Sequence, residues 1–480
     1  MPIEDIREFI SELEKKGEIK KIKTEVDSDL EIAEIMRREM YSNGPAILFE
    51  NVKGYDMPVL GNAFGSMKRL EIGLEMTDFT EIGQRIADMT KMDIPSGILN
   101  KIKKLPELTK MTASFPKTET SGPVSEITSK DASFDDLPIL KSWPKDAGKF
   151  ITLGLVATKH PETEVRNLGV YRIQVIDKTH ALMHWQKHKR GAHHGDISKE
   201  KGEKIPTAII IGGDPATIFS SIAPVPEGLD KYLFAGITRK EGIKMVKCKT
   251  IDLEVPANAE IVLEGYVDPA DIRDEGPFGD HTGYYTPIEP YPTFTLTGVM
   301  RRKNPIYVTT VVGKPILEDA YIGKVIERSF LPLIQMFHPE VVDFSMPAAG
   351  WFQGFAIISI KKRYPGQAKK VMMGLWGMGQ LSLTKMFVVV DENINVHDIN
   401  DVIWAITTRA DAARDTIIIN NTPTDTLDPA SPLVNLGSKM GIDATQKTRE
   451  EGYEREIQEQ VKVDDKTKNL VDSKWSKYGL

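Results

Sequence analysis

Cysteine is almost missing from this chain of 480 residues: Cys248 stands alone. A disulfide framework and a cysteine-based zinc site are thereby excluded. Cys248 lies in Ile243-Lys-Met-Val-Lys-Cys-Lys-Thr-Ile251, which alternates like a strand and offers no adjacent base, so it reads as a buried structural thiol rather than a nucleophile. No run approaches the ~18 apolar residues that a membrane-spanning helix needs. The opening Met1-Pro-Ile-Glu-Asp-Ile-Arg-Glu-Phe-Ile10 is charged from the start and has no apolar signal-peptide core. A cytoplasmic protein is expected, with peripheral contact at the inner face of the cell membrane left open. Excess positive charge is also lacking: the net charge is -7, and nothing marks the whole chain for nucleic acid. One basic run, Lys15 to Lys23, holds five lysines together with Glu18 and a turn at Gly17, and reads as a solvated face. No repeat of roughly 20–50 residues is visible.

What the chain does have is length and ordinary globular composition, 40% hydrophobic and 27% charged. A chain this long divides into two to four domains of ~100–200 residues. The first part reads as α/β. Ile3, Ile6, Phe9, Ile10 and Leu13 recur at helical spacing up to a stop at Gly17, Ser28 looks like an N-cap for a helix from Asp29 to Met40, and Pro45 to Phe49 reads as a strand. Thr112 to Asp136 is polar and linker-like, with Pro116, Gly122 and Pro123, and a domain boundary is placed there. The middle is rich in short strands: Ile151 to Thr158, Gly169 to Ile176, Thr207 to Gly212, Ile243 to Ile251, Ala259 to Tyr266 and Thr293 to Met300. Gly, Pro and Asp separate them, which suggests a barrel or a sandwich. The last part returns to α/β, with strands at Ala356 to Lys361 and Met386 to Val390 and helices at Val402 to Thr408 and Lys466 to Lys477. Glu450 to Asp465 is charged and reads as an exposed arm.

Three segments carry candidate chemistry. His180, His184, His188, His193 and His194 are five of the nine histidines, within fifteen residues. On a helix, His184 and His188 would share a face and could grip a metal; a polar loop of solvated histidines fits the spacing equally well. In Asp274-Glu-Gly-Pro-Phe-Gly-Asp-His-Thr-Gly283, Glu275 and Asp280 flank glycines and a proline that exclude regular structure. An irregular loop that fixes two acids suits acid/base work, and a solvated surface turn is the plain alternative. Gly374-Leu-Trp-Gly-Met-Gly379 resembles half of a phosphate-binding fingerprint but lacks its strand-turn-helix frame, and reads as packing or a turn.

Several segments, in order, resemble the UbiD decarboxylases. They are Asn167-Leu-Gly-Val-Tyr-Arg172, His184-Trp-Gln-Lys-His188, and Glu275-Gly-Pro-Phe-Gly-Asp280 followed by His-Thr-Gly-Tyr-Tyr285. Gly213-Asp-Pro-Ala-Thr217, Asp252-Leu-Glu-Val-Pro-Ala257, Asp401-Val-Ile-Trp-Ala-Ile-Thr-Thr-Arg409 and Gly437-Ser-Lys-Met-Gly-Ile-Asp-Ala-Thr445 are similar as well. Within the family, the similarity points to the bacterial polyprenyl-hydroxybenzoate decarboxylases. The resemblance implies a mixed α/β fold: an N-terminal α/β domain (1–115), a central split β-barrel that binds flavin (116–310), and a C-terminal α/β domain (311–480) ending in helices for oligomerisation. It implies a homo-oligomer, dimer or hexamer.

Decarboxylation leaves two electrons on carbon that no side chain can hold, so a cofactor must be the sink. The resemblance implies prenylated FMN, supplied by a flavin prenyltransferase, with manganese or another divalent metal and potassium tying the flavin phosphate to the protein. By the same resemblance Asn167 and His188 are metal ligands. Val170, Tyr171 and Arg172 lie along the flavin, as do His184, Trp185, Gln186, Lys189 and Arg190. Arg172 pairs with Glu275 and holds the substrate carboxylate, and Asp280 is the proton donor. Burial and the nearby Glu275 are expected to raise the Asp280 pKa. One departure stands out. The family's third metal ligand is a glutamate four residues before an Ala-Gly pair, and here, before Ala235-Gly236, that place is Lys231. An ammonium has no free lone pair for a metal. Asp230 is the expected substitute, with Glu227 a second choice; alternatively Lys231 neutralises the phosphate itself.

The expected substrate is 3-polyprenyl-4-hydroxybenzoate or a similar aromatic or α,β-unsaturated acid of isoprenoid quinone synthesis. A phosphorylated enoic acid, trans-anhydromevalonate phosphate, is the alternative that archaeal relatives suggest, and a non-catalytic flavin- or metal-binding protein is a third reading, resting on Lys231. A zinc hydrolase built on the histidines would need a general base after His184, which Trp185 and Gln186 do not supply.

Overall fold

In the computed structural model, residues 2–90, 112–186, 190–225, 229–314, 317–456 and 458–479 are described. Ile6, Phe9, Ile10 and Leu13 fall on one buried face of α1 (Ile6–Lys15), and Asp5 caps it by accepting from the Arg7 and Glu8 N–H groups. Gly17, at φ +67°, turns the chain into β1 (Ile19–Ile22). The next helix, α2 (Glu31–Tyr41), begins later than the sequence suggests, and Ser28 is not its cap. Leu30 occupies the cap position, and Glu31 reaches back to accept the Asp27 N–H at 2.8 Å. The Ser28 carbonyl instead accepts from Lys141 N–H. β2 (Ala46–Phe49), β3 (Val59–Gly61), α3 (Met67–Leu74) and α4 (Thr80–Thr90) follow.

The polar stretch from Thr112 to Asp136 contains two short strands, β4 (Lys117–Thr118) and β5 (Ile127–Ser129). After them come β6 (Phe150–Lys159), β7 (Arg166–Val175), β8 (His180–Met183), α5 (Arg190–Lys201), β9 (Ile205–Ile211), α6 (Pro215–Ile222) and α7 (Lys231–Arg239). β10 (Lys244–Lys247), β11 (Glu254–Pro256), β12 (Ile261–Glu275) and β13 (Glu289–Arg301) complete the central region. The expected strand from Ile243 to Ile251 stops at Lys247. The wholly buried Glu264 carboxylate captures the Lys249 and Thr250 N–H groups and bends the chain there. Cys248 is buried at that bend, and burial pushes its thiol up, as a structural thiol requires.

Strands run β12-β9-β6-β7-β8-β13, and β12 pairs back onto β13, so six strands close a ring with β5 attached outside β13. Closure removes exposed edges. Gly265 sits at a register shift in β12, where a Cβ would meet the Thr295 carbonyl at 2.1 Å, so only glycine lets the two long strands pair there.

Beyond the barrel, β14 (Tyr307–Val308) runs parallel to β3 and completes an N-terminal sheet of order β1-β2-β3-β14. Then come α8 (Glu318–Phe337), β15 (Val341–Ser345), β16 (Phe355–Ile360), α9 (Gln367–Trp376), β17 (Met386–Asp391), α10 (Ile399–Arg409), β18 (Thr416–Pro423) and β19 (Leu436–Asp443). The C-terminal sheet has order β15-β16-β17-β19-β18 and buries apolar clusters on both faces. Gly374 lies inside α9, where a Cβ would strike His338, so that glycine-rich segment is packing rather than a phosphate loop. The final helix, Asp465–Lys474, buries none of its residues. No helix among the described residues is long and apolar enough to cross a membrane.

Phe294 of β13 is fully buried and meets Phe134 edge-on at 6.4 Å. Phe294→Ala should cost about 3–5 kcal/mol, seen as a lower denaturant midpoint; a change under about 1 kcal/mol would mean the barrel core collapses around the gap.

Candidate active site

β7 and β8 pair so that Arg172 and His184 are cross-strand neighbours, with the His184 N–H donating to the Arg172 carbonyl. Glu275 ends β12 on the far side of the ring, and Asp280 lies on the loop between β12 and β13. That loop is held at several points. Gly276 N–H donates to Gln174 Oε1 at 2.8 Å, Gly279 N–H to Asp146 Oδ1 at 2.8 Å, and the Pro277 carbonyl accepts from Ala147 N–H at 2.9 Å. A Cβ on Gly279 would collide with the Trp143 ring, so the loop owes its depth to that glycine.

The four side chains converge. Arg172 donates from Nε and Nη2 to the two Glu275 oxygens at 2.8 and 2.9 Å, and from Nη1 to Asp280 Oδ2 at 2.6 Å. His184 Nδ1 lies 3.1 Å from Glu275 Oε2. The Arg172 guanidinium also sits 5.0 Å over the Phe278 ring. Glu275 is fully buried, while Arg172, His184 and Asp280 are each less than a tenth exposed.

Charges this deep persist only when paired. Burial pushes the Glu275 carboxyl up, but His184 and Arg172 outweigh it and hold it at about 2. Burial also pushes Asp280 up. Here too the opposing charges win: His281 and Arg172 hold it well below the usual carboxylate range, opposite to the expectation from burial and Glu275. The reason is position. Arg172 lies between the two acids, and His281, next in the chain, places Nδ1 2.9 Å and its backbone N–H 2.7 Å from Asp280 Oδ1. His281 is itself pushed up to about 9 despite its burial, chiefly by Asp280. Burial pushes His184 down, so it is neutral; Glu275 is ionised, so Nδ1 carries the hydrogen and Nε2 the lone pair. Two carboxylates, a guanidinium and an imidazolium then sum to zero charge.

The other candidate residues are distributed around this centre. Val170 shares the Arg172 face of β7, while Asn167 and Tyr171 alternate onto the other face, where the buried Tyr171 hydroxyl lies beside Asn167. Trp185 is buried and packs against Gly191, Gln186 follows it half-buried, and Arg190 opens α5 and donates to the Val225 carbonyl at 3.0 Å. Asp230 caps α7 by accepting from Tyr232 N–H at 2.7 Å, and it pairs with Arg166 at 2.7 Å. Arg166 leaves β7 on the face opposite Asn167. Lys231 Nζ donates to the Ser221 carbonyl at 2.7 Å. His188, Lys189 and Glu227 lie outside the described residues.

Two buried ring nitrogens, His184 Nε2 and Trp185 Nε1, have no hydrogen-bond partner among the described residues. One is an acceptor and the other a donor, on consecutive residues, with His184 beside Arg172 and Trp185 against Gly191. That pairing fits a ligand with an extended, polar-edged ring system, as a flavin has. His281, Thr286 and Tyr291 complete the site and were not read as functional from the sequence. Thr286 Oγ1 accepts from Arg172 at 3.3 Å, and the Tyr291 ring lies 4.2 Å from that of His184.

Three family profiles match the chain: the 3-octaprenyl-4-hydroxybenzoate carboxy-lyase N-terminal domain at residues 10–88, its Rift-related domain at 117–315 and its C-terminal domain at 320–444. The chain belongs to the UbiD family of carboxy-lyases. An uncharacterised protein of Archaeoglobus fulgidus is 51% identical over 477 residues, covering 99% of this chain and 98% of that one. An uncharacterised protein of Aquifex aeolicus is 48% identical over 480 residues, covering 99% of each. Among solved structures, the vanillic acid decarboxylase of Sedimentibacter hydroxybenzoicus in its closed form matches with a TM-score of 0.87 at 28% identity, covering 99% of both chains. The UbiD-class enzyme HmfF of Pelotomaculum thermopropionicum, in complex with FMN, matches at 0.80 and 29% identity, covering 98% of this chain and 99% of that one. An evolved dimeric form of HmfF with prenylated FMN matches at 0.78 and 27%, covering 97% and 98%.

Glu275, held at about 2 against an ordinary 4.5, contributes stability that is fully present above pH 4.5 and lost as pH falls towards 2. Glu275→Gln should flatten the acid dependence of the melting temperature across that window. Parallel curves for variant and parent would mean that other carboxylates carry the acid sensitivity.

Proposed function

We propose that the chain is a prenylated-FMN-dependent decarboxylase of an aromatic or α,β-unsaturated carboxylic acid, with 3-polyprenyl-4-hydroxybenzoate or a similar acid of quinone biosynthesis as the substrate class. The observation that carries this reading is the buried Glu275–Arg172–Asp280 network beside the unpartnered His184 ring nitrogen. When bound, prenylated FMN supplies the sink for the electron pair left on carbon as CO2 departs. His184, Trp185, Val170, Tyr171, Gln186, Lys189 and Arg190 are the residues that would hold it, and a flavin prenyltransferase would supply it. FMN and prenylated FMN in the two HmfF structures support the choice of cofactor.

The chain's own residues then divide the work. Glu275 grips Arg172 at two points and fixes its plane. Nη1 is the donor turned towards Asp280, and a substrate carboxylate entering there competes with Asp280 for it. Asp280 is the acid that delivers a proton to the carbon CO2 has left. The closed ring and the pinned loop keep water from taking that role.

For a divalent metal, Asn167 and His188 are the proposed donors, and Asp230 joins them only by exchanging Arg166 for the ion. Asp230→Asn keeps a helix-capping side chain and should lower the manganese found in purified protein by elemental analysis. Unchanged manganese would remove Asp230 from the donor set. A homo-oligomer built through the exposed final helix completes the proposal.

The test is co-expression with a flavin prenyltransferase, followed by mass analysis of the released cofactor and assay of vanillate, 3,4-dihydroxybenzoate and 3-octaprenyl-4-hydroxybenzoate. Prenylated FMN and CO2 release from one of these acids are expected. Plain FMN or no flavin, with the prenyltransferase active, overturns the proposal. Asp280→Asn should abolish turnover, by about 10²-fold or more, with the flavin retained; loss of flavin instead would make Asp280 a binding residue.

A further inference from the structure

Asp280 is ionised in this arrangement, yet an acid must carry a proton. Neither the Arg172 guanidinium nor a backbone N–H gives up its hydrogen, so the nearest transferable one is on His281, whose Nδ1 lies 2.9 Å from Asp280 Oδ1. The imidazole is clasped between the barrel loop and the C-terminal region: its ring lies 6.0 Å from Trp351, stacked, and 5.4 Å from Phe352. Its second nitrogen, Nε2, is buried and has no hydrogen-bond partner among the described residues. The same is true of Asp319 Oδ2, in the first turn of α8. The charged groups that act on His281 come from three elements: Asp280 on its own loop, Asp319 on α8 and Asp425 on the segment after β18. Glu318, beside Asp319, is turned away and accepts the Phe64 N–H at 2.5 Å.

We propose that His281 and Asp280 form a proton relay in which His281 is the proton store that loads Asp280, and Asp319, on the C-terminal side, is the positioning residue whose charge keeps that store filled. The proposal rests on the reading of Asp280 as the acid. When a substrate carboxylate takes Arg172 Nη1, Asp280 loses its closest cation and becomes the stronger base. The Nδ1 proton of His281 then passes to Asp280 Oδ1, and Asp280 gives that proton to carbon. Neutral His281 keeps its Nε2 hydrogen, and Nδ1 regains its proton from solvent through Asp280 once the product has left. Each cycle thus moves one proton inwards and leaves every group as it began. Asp319 suits that role: burial and the Asp280 charge push it up to about 6, which still leaves it ionised at neutral pH, and its charge favours the His281 imidazolium.

The relay is tested on the holoenzyme with His281→Gln, Asp319→Asn and Asp280→Asn. In ring-labelled protein, the histidine NMR signal missing from His281→Gln should titrate near pH 9 in the parent, and Asp319→Asn should weaken its proton affinity about tenfold. An unmoved His281 midpoint in Asp319→Asn overturns the relay, whatever the substrate. With the benzoate of the panel that the parent consumes, His281→Gln should lower kcat about 10²-fold at unchanged KM. Asp319→Asn should move the alkaline limb of the kcat profile to lower pH, because His281 then loses its proton sooner. Turnover by Asp280→Asn would sink the reading of Asp280 as the acid. A dead Asp280→Asn, with parental kcat and pH limb in the other two variants, would sink the relay alone.

Discussion

One guanidinium, buried between two carboxylates, sets the terms for the rest of the molecule. Arg172 could not be left this deep without Glu275 and Asp280, and both acids lean on it, Glu275 together with His184 and Asp280 together with His281. With the His281 imidazolium the cluster is neutral, so removing any one of the three leaves an uncompensated charge in a dry environment, a far greater cost than the intact cluster incurs. Arg172 lies 103 residues before Glu275 in the chain, so the cluster forms only when the barrel does.

Barrel closure supplies that assembly. β7 brings Arg172, β8 brings His184, and β12 carries Glu275 to the rim before the loop returns with Asp280. The bulges of β12, and the glycine that permits one of them, decide where that rim falls. His281 then fastens the loop to aromatic rings from beyond β15, so the site's electrostatics and the seating of the C-terminal region share one side chain.

Much of this could be read from residue order, for reasons that differ by element. α1 was legible because its apolar spacing and its burial coincide. The central strands were legible as a set, but closure into a ring was not, since periodicity says which face a residue takes and nothing about which strand lies next to it. The strand at Ile243 was overdrawn because Glu264, from another element, bends the chain at Lys249. The start of α2 was misread because Leu30 takes the cap position without a side-chain bond, and Glu31 ties back to Asp27 N–H instead. In the site, motif resemblance singled out Arg172, Glu275 and Asp280, whose side chains the structure brings together. Burial and Glu275 by themselves gave the wrong direction for the Asp280 carboxyl, because the intervening charge comes from another strand and from a histidine that had passed as part of a motif. Asp319, remote in the chain and bland in its local sequence, could be found only in three dimensions.

The fourth strand of the N-terminal sheet has a consequence for the order of events on the ribosome. β1, β2 and β3 emerge early, but their sheet is finished by Tyr307 and Val308, which follow the whole barrel. Synthesis at about 5–20 residues per second keeps β3 without its last neighbour for many seconds. During that interval the first lobe presents an apolar edge that only the completed middle of the chain can cover. The nascent protein is thus committed to building its centre before its beginning is sealed.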